Sequence, residues 1–249
     1  MIGPNAKLAA FSGGGSASLR PYYATTPFEG ICKYAPDAKY ALGAAAYHQL
    51  PPISEMCKTG DGQPGMTARF FNEPAETADR ICRDTVYTPL SDMLLVDYRH
   101  PDVDMELFYM ELEGFVTPEE GGEYEFGCSV RGTARVYVDG ELLVDNATVQ
   151  RQGATFLGAG TLEERGTKTL EAGRTYRVVL QFGSGLTQKI KKKGATAMRG
   201  GGVRLGCAKI LDPQAEIQRA VALAKEVDQV VICAGLSVSF LLLTIRQGC

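Results

Sequence analysis

Residues 134–146 constrain the fold of this chain more than any other stretch. They read Ala-Arg-Val-Tyr-Val-Asp-Gly-Glu-Leu-Leu-Val-Asp-Asn, with apolar and polar side chains nearly alternating on both sides of Asp139-Gly140. Alternation at period two marks a half-buried strand, and Asp-Gly readily takes the positive φ of a tight hairpin turn. The pattern predicts two antiparallel strands, with Val136 and Val138 inward on the first and Leu142 and Val144 inward on the second. Similar runs surround this hairpin at 66–71, 108–116, 123–130, 168–173 and 175–182. Short strands at regular spacing, separated by Gly-rich turns, predict an antiparallel β-sandwich.

With 249 residues the chain holds one large domain or two small ones, and its net charge of −3 gives no reason to expect a nucleic-acid partner. The one basic run, at 189–193, follows a Gly-Ser-Gly turn and reads as a solvated loop. The seven cysteines (Cys32, Cys57, Cys82, Cys128, Cys207, Cys233, Cys249) form no Cys-x-x-Cys pair, and neither His48 nor His100 lies near one in sequence. That spacing argues against zinc, and the odd count predicts buried free thiols rather than a disulfide framework. No metal or other cofactor is expected. The N-terminus turns polar at once and predicts no signal peptide, and the apolar tail at 238–243 is too short to span a bilayer, so no membrane partner is expected.

The first thirty residues carry Ile2-Gly3-Pro4-Asn5-Ala6, then Ser12-Gly13-Gly14-Gly15-Ser16-Ala17, then Pro21-Tyr22-Tyr23 and Thr26-Pro27-Phe28-Glu29-Gly30-Ile31. The glycine run lacks the Lys-Ser/Thr ending of a phosphate-binding P-loop and reads as a tight packing loop. In this order and spacing the motifs closely resemble the start of the second, α/β-sandwich domain of glycoside hydrolase family 3, the β-glucosidases. One branch of that family carries a PA-fourteen β-sandwich inserted in this domain, and residues 135–145 resemble its most recognisable segment. The resemblance implies a mainly-β chain: residues 1–62 as the N-terminal part of the α/β domain, 63–208 as the PA-fourteen-like sandwich, and 209–249 as a returning helix and strand.

Residues 40–47 fit either a strand or a short helix by composition, and the resemblance favours a strand. Pro51-Pro52 and the polar stretch 59–65 then read as a break and linker. Past the sandwich, Asp212-Pro213 sets an N-cap before a proline at the first helical position, and Ile217, Ala220, Val221 and Ala224 put one apolar face on the helix that follows. Residues 230–236 read as a buried strand of the parallel type.

Retaining glycosidases need two carboxyl groups flanking the scissile bond. The resemblance places the nucleophile in a barrel upstream of every motif quoted, and the acid/base in an acidic stretch after the strand at 230–236. This chain reads Ser237-Val238-Ser239-Phe240-Leu241-Leu242-Leu243 there, with no carboxylate after Asp228. The departure implies a truncated or misread gene end, or a divergent terminus, and leaves no catalytic residue to assign. Glu119-Glu120 and Glu163-Glu164 read as exposed loop carboxylates, and there is no Gly-x-Ser-x-Gly elbow. Calcium-dependent lectins of the sandwich class use adjacent aspartates. Here the closest spacing is Asp102-Val103-Asp104, while Asp139 serves its turn and Asp145 the loop that follows.

One candidate binding residue remains. Within 153–164, Phe156-Leu157-Gly158 stands where the family tends to have Phe-Phe-Gly, in a loop that leans over the catalytic pocket. Phe156 is therefore either a substrate-stacking aromatic or ordinary sandwich core. The expected function is that of a fragment of a β-glucosidase acting on terminal β-D-glucosyl residues of short oligosaccharides, inactive as this chain. Its partners would be β-glucosides and a missing barrel domain. A stand-alone carbohydrate-binding module and a functionless fragment are the alternatives. The compartment is not indicated.

Overall fold

The structure, a computed structural model, describes residues 1–9, 22–44, 47–190 and 199–234. The glycine-rich run, most of the basic run and the tail at 237–249 lie outside the described residues. The chain separates into two compact units, Met1–His48 with Leu211–Cys249, and Gln49–Ile210, limits that differ from the 63–208 expected for the sandwich.

Unit Gln49–Ile210 is an antiparallel sandwich. Its strands are β1 (Cys57–Lys58), β2 (Met66–Phe71), β3 (Asp84–Thr88), β4 (Asp92–Leu94), β5 (Tyr109–Val116), β6 (Gly122–Arg131), β7 (Thr133–Val138), β8 (Glu141–Asn146), β9 (Glu164–Leu170), β10 (Tyr176–Gly183) and β11 (Gly202–Lys209). One sheet has the order β3-β2-β5-β10-β7-β8, with β1 also on β5; the other has the order β4-β11-β6-β9. Period-two patterning explains which side chains meet between them. Met110, Leu112, Val136, Val138, Val178, Leu180 and Phe182 project from the first sheet onto Tyr124, Phe126, Cys128, Val130, Val203 and Leu205 of the second.

The β7–β8 hairpin turns at Asp139 and Gly140, whose φ values of 50° and 82° are the two positive values that a two-residue primed turn demands. Asp139 also accepts a hydrogen bond from the Arg177 backbone N–H. One inward assignment fails. A bulge pairs Val136 with Val144 but Tyr137 with Leu142, so Leu143 is the extra residue. The bulge turns Leu142 to the outside, 46 % exposed, and packs Leu143 against the core instead.

The stretch 59–65 is a tight turn rather than an open linker: Thr59 N–H donates to Gln63 O, Gly62 N–H donates to Thr59 O, and Lys58 bridges Pro64. Before it, residues 50–58 cross from the small sheet, where Pro52 bridges Gly206, to the large one, where β1 pairs with β5.

Among its described residues, the other unit holds two α-helices, Pro27–Cys32 and Pro213–Ala224. Thr26 and Glu29 close a reciprocal capping box around Pro27, and Asp212 accepts from the N–H groups of Gln214 and Ala215 as expected. Ile2 bridges Ala41 and Ile232, both in parallel. The parallel sense expected at 230–236 is therefore present, but burial is not. Val230, Val231 and Ile232 are exposed, as are Ile217 and Val221 on the helix, because no described element of this unit covers them. At 40–47 the described pairing is confined to the bridge at Ala41.

Candidate functional site

The loop between β8 and β9 departs most from ordinary backbone geometry. Within Thr155–Gly158, Phe156 has φ 51° and ψ 53°, and Leu157 has φ 56° and ψ 32°; Gly158 follows at φ 74°. Left-handed backbone costs an L-residue roughly 1–2 kcal/mol, so two consecutive non-glycine residues there must be held by their surroundings.

The holding groups are identifiable. The Gln152 side-chain amide donates to the carbonyls of Gly158 at 2.8 Å and Gly153 at 3.1 Å. Gly153 N–H donates to Gly160 O, Gly160 N–H to Thr155 O, and the Thr155 hydroxyl to Thr161 O. Thr161 ties the loop to the small sheet, its N–H donating to Val130 O and its Oγ1 accepting from Val130 N–H at 3.0 Å. The Phe156 ring lies on two glycines. A Cβ on Gly160 or on Gly202 would stand 2.6 Å from a ring carbon, so no larger residue fits under it.

Phe156 is thus half-buried in a loop and is not part of the core cluster between the sheets. Leu157 is 85 % exposed and projects from the same rigid turn. In the sequence Leu157 stands out only as a leucine where the family tends to have an aromatic. Its exposure depends on the left-handed turn, which no propensity for Phe or Leu foretells.

The acidic candidates divide. Glu119 and Glu120 are exposed, with Glu120 paired to Lys209 at 2.7 Å. Glu163 is not exposed as expected: its side chain retains only 5 % of its accessibility. Its carboxylate accepts from Leu50 N–H, from Arg204 at 3.2 Å and from Arg165 at 2.7 Å, and it lies over the bare Cα of Gly127. Arg204 also meets Asp92 at 3.3 Å. Burial pushes the Asp92 carboxyl up, although Arg204 opposes the shift. This is a structural ion network, since every Glu163 oxygen is already engaged. Asp145 caps its loop as expected, accepting from the N–H groups of Ala147 and Thr148 and from the Thr148 hydroxyl. Asp104 likewise accepts from the N–H groups of Glu106 and Leu107. Among the described residues, no three His, Cys, Asp or Glu side chains converge as a metal site would require.

Of the thiols, Cys57, Cys128 and Cys207 are buried and free, as predicted, but Cys82 is exposed and Cys32 and Cys233 are half-buried. Burial pushes the Cys57 thiol up to about 12 and raises Cys128 and Cys207 further. Among the described residues, no helix is long and apolar enough to cross a membrane.

A two-sheet antiparallel sandwich with these loops defines a class. The PA14 domain family model matches residues 62–207, and the chain belongs to that family. Beyond the domain, the chain is similar to β-glucosidases over almost its whole length. A probable beta-glucosidase I of Aspergillus clavatus is 44 % identical over 238 residues, which are 95 % of this chain and 28 % of the relative. A probable beta-glucosidase J of Emericella nidulans is 43 % identical over 237 residues, with the same shares. The crystal structure of the Kluyveromyces marxianus β-glucosidase in complex with glucose superposes with a TM-score of 0.83 at 32 % identity, covering 96 % of this chain and 28 % of that one. The chain therefore spans about 28 % of the length of these relatives.

Proposed function

We propose that this chain is the PA14 insertion, with adjoining α/β segments, of a glycoside hydrolase family 3 β-glucosidase. In the complete enzyme its task is to wall the leaving-group side of the substrate pocket. The observation that supports this reading is coverage. The similarity to β-glucosidases does not stop at residues 62–207 but takes in 95 % of the chain. A PA14 sandwich grafted onto an unrelated protein would share the domain and lose the flanks.

The chain's own contribution is the turn Thr155–Gly158. Phe156, seated on Gly160 and Gly202, offers a fixed aromatic surface, and a sugar ring can lay its C–H groups on such a surface. Neither acidic pair singled out from the sequence offers the free carboxyl groups that hydrolysis requires, because Glu163 is locked to two arginines and Glu120 pairs with Lys209. Alone, the chain would leave an aryl β-glucoside intact. The complete enzyme would release terminal glucose from short β-glucosides.

The test is Phe156→Ala in the complete enzyme. Loss of a stacking surface worth roughly 0.5–1.5 kcal/mol should raise KM for a disaccharide a few-fold to about tenfold, and change a compact aryl glucoside less. The stability cost should be about 1–2 kcal/mol, below the roughly 3–5 kcal/mol for a core Phe, since the ring is only half-buried. A large fall in melting temperature with unchanged disaccharide kinetics would reject the pocket role.

A further inference from the structure

The outer face of the large sheet carries a cleft that the loop at Phe156 does not touch. It encloses about 230 Å³, and its floor and walls come from adjacent strands in register. Tyr109, Gly183 and Thr133 form one cross-strand row on β5, β10 and β7; Glu111, Gln181 and Arg135 form the next. Gly183 interrupts the first row with no side chain, and the Thr133 and Thr187 hydroxyls, 2.8 Å apart, close over its bare Cα and form that end of the cleft. From the segment joining β2 to β3, Glu76 and Arg80 overhang it. The volume is below the roughly 300 Å³ at which pockets for drug-sized ligands begin, so the cleft suits a single small ring.

Its charges are already spent. Arg80 pairs with Glu111, Arg135 meets Glu76 at 3.0 Å and Asp145 at 3.6 Å, and the Lys189 ammonium donates to Thr148 O at 3.0 Å. An anion would have to displace those partners. The uncommitted groups are neutral: the Gln181 carboxamide and the Tyr109 hydroxyl make no hydrogen bond to the described residues. Burial first, and the Glu76 charge second, push the Tyr109 hydroxyl up and keep it a donor. An aromatic wall, a planar amide with two donors and an acceptor, and a phenol donor suit a neutral polyhydroxylated ring.

We propose that this cleft is a second, non-catalytic saccharide site that takes one neutral pyranose unit, with Gln181 and Tyr109 as its hydrogen-bonding residues. It lies on the large sheet, whereas Phe156 packs on Gly202 of the small one, so the proposal stands independently of the pocket role. The test is a titration of the isotope-labelled 249-residue chain with methyl β-D-glucopyranoside, methyl β-D-galactopyranoside, methyl α-D-mannopyranoside and cellotriose, followed by amide chemical shifts. At least one glycoside should give saturable shifts at Tyr109, Gln181, Gly183 and Thr187, and inorganic phosphate should give none. Gln181→Ala should weaken binding about fivefold, the loss of one hydrogen bond. Tyr109→Phe, which keeps the ring and the packing, should weaken it by a similar factor. No saturable shift with any glycoside, shifts confined to residues 153–161, shifts of the cleft by phosphate, or wild-type affinity in both cleft variants would each overturn the assignment.

Discussion

Asn146→Asp is an almost isosteric change that should cost the sandwich more than most core truncations, and only at neutral pH. Asn146 ends β8 and is fully buried, with its side-chain amide donating to Cys128 O at 2.8 Å, Thr161 Oγ1 at 2.9 Å and Leu162 O at 3.2 Å. A carboxylate there would face two carbonyl oxygens and no donor but the threonine hydroxyl, so it would fold only when protonated. Raising an aspartate from about 3.9 to beyond 7 costs about 1.36 kcal/mol per unit, or about 4 kcal/mol at pH 7. The single acid proton then serves one carbonyl, and the other is left bare at about 1–3 kcal/mol, independent of pH. Because the folded value is raised, the folded state binds the proton more tightly. The penalty is therefore largest at neutral pH and shrinks as pH falls toward the unfolded value. The chain has no tryptophan, so urea unfolding is best followed by far-ultraviolet circular dichroism, with variant and wild type compared at equal pH. A loss of about 5–7 kcal/mol at pH 7 should fall to about 1–3 kcal/mol near pH 4. A penalty that is flat across this range, or below about 1 kcal/mol at pH 7, would refute the assignment of Asn146 as an obligate donor.

Other substitutions test other parts of the fold. Leu157→Gly removes a left-handed strain of roughly 1–2 kcal/mol against a glycine entropy cost of about 0.5–1 kcal/mol, so thermal melting should show a neutral or slightly stabilising change. Glu113, held by Arg69 at 2.9 Å and by Arg177, has a carboxyl that burial pushes up but the two guanidinium partners pull lower still, below its ordinary 4.5. Its contribution is full above that value and is lost as pH falls through the lower folded one. Glu113→Gln should therefore cost about 1–2 kcal/mol at pH 7, at the low end for charge-assisted bonds because both guanidiniums are partly exposed, and little under strong acid. Among the cysteines of the described residues, iodoacetamide labelling read by peptide mass should modify Cys82 first and leave Cys57, Cys128 and Cys207 untouched until the sandwich unfolds.

The elements legible from sequence were those whose cause is local. The Asp139-Gly140 turn, the alternation of Val136, Val138 and Val144, and the Asp212-Pro213 cap each rest on neighbours a few residues apart. The helix Pro27–Cys32 is equally local in origin, since Thr26, Pro27 and Glu29 spell out a capping box inside the stretch that carries the family resemblance. What stayed hidden depends on partners far along the chain. Glu163 is buried because Leu50, 113 residues away, and Arg204, 41 away, meet it over Gly127. The bulge that turns Leu142 outward adds one residue to β8 without leaving a distinctive composition. The cleft at Gln181 exists only once β5, β10 and β7 are laid side by side.

The loop at Phe156 shows the same division within four residues. Gly158 and Gly160 are visible as permissive positions, yet the residues that take the left-handed conformation with Gly158 are Phe156 and Leu157, neither of which favours it. The conformation persists because Gln152 gathers the carbonyls of Gly153 and Gly158 while Gly160 and Gly202 leave room for the ring. Two strained residues cost roughly 2–4 kcal/mol together, a large fraction of a domain's net stability. A loop that only joined β8 to β9 could relieve that cost with a second glycine at Leu157, where no packing would be lost because the side chain is exposed. An exposed leucine held at that cost is a physical reason, separate from any resemblance, to look for what this turn touches in the complete enzyme.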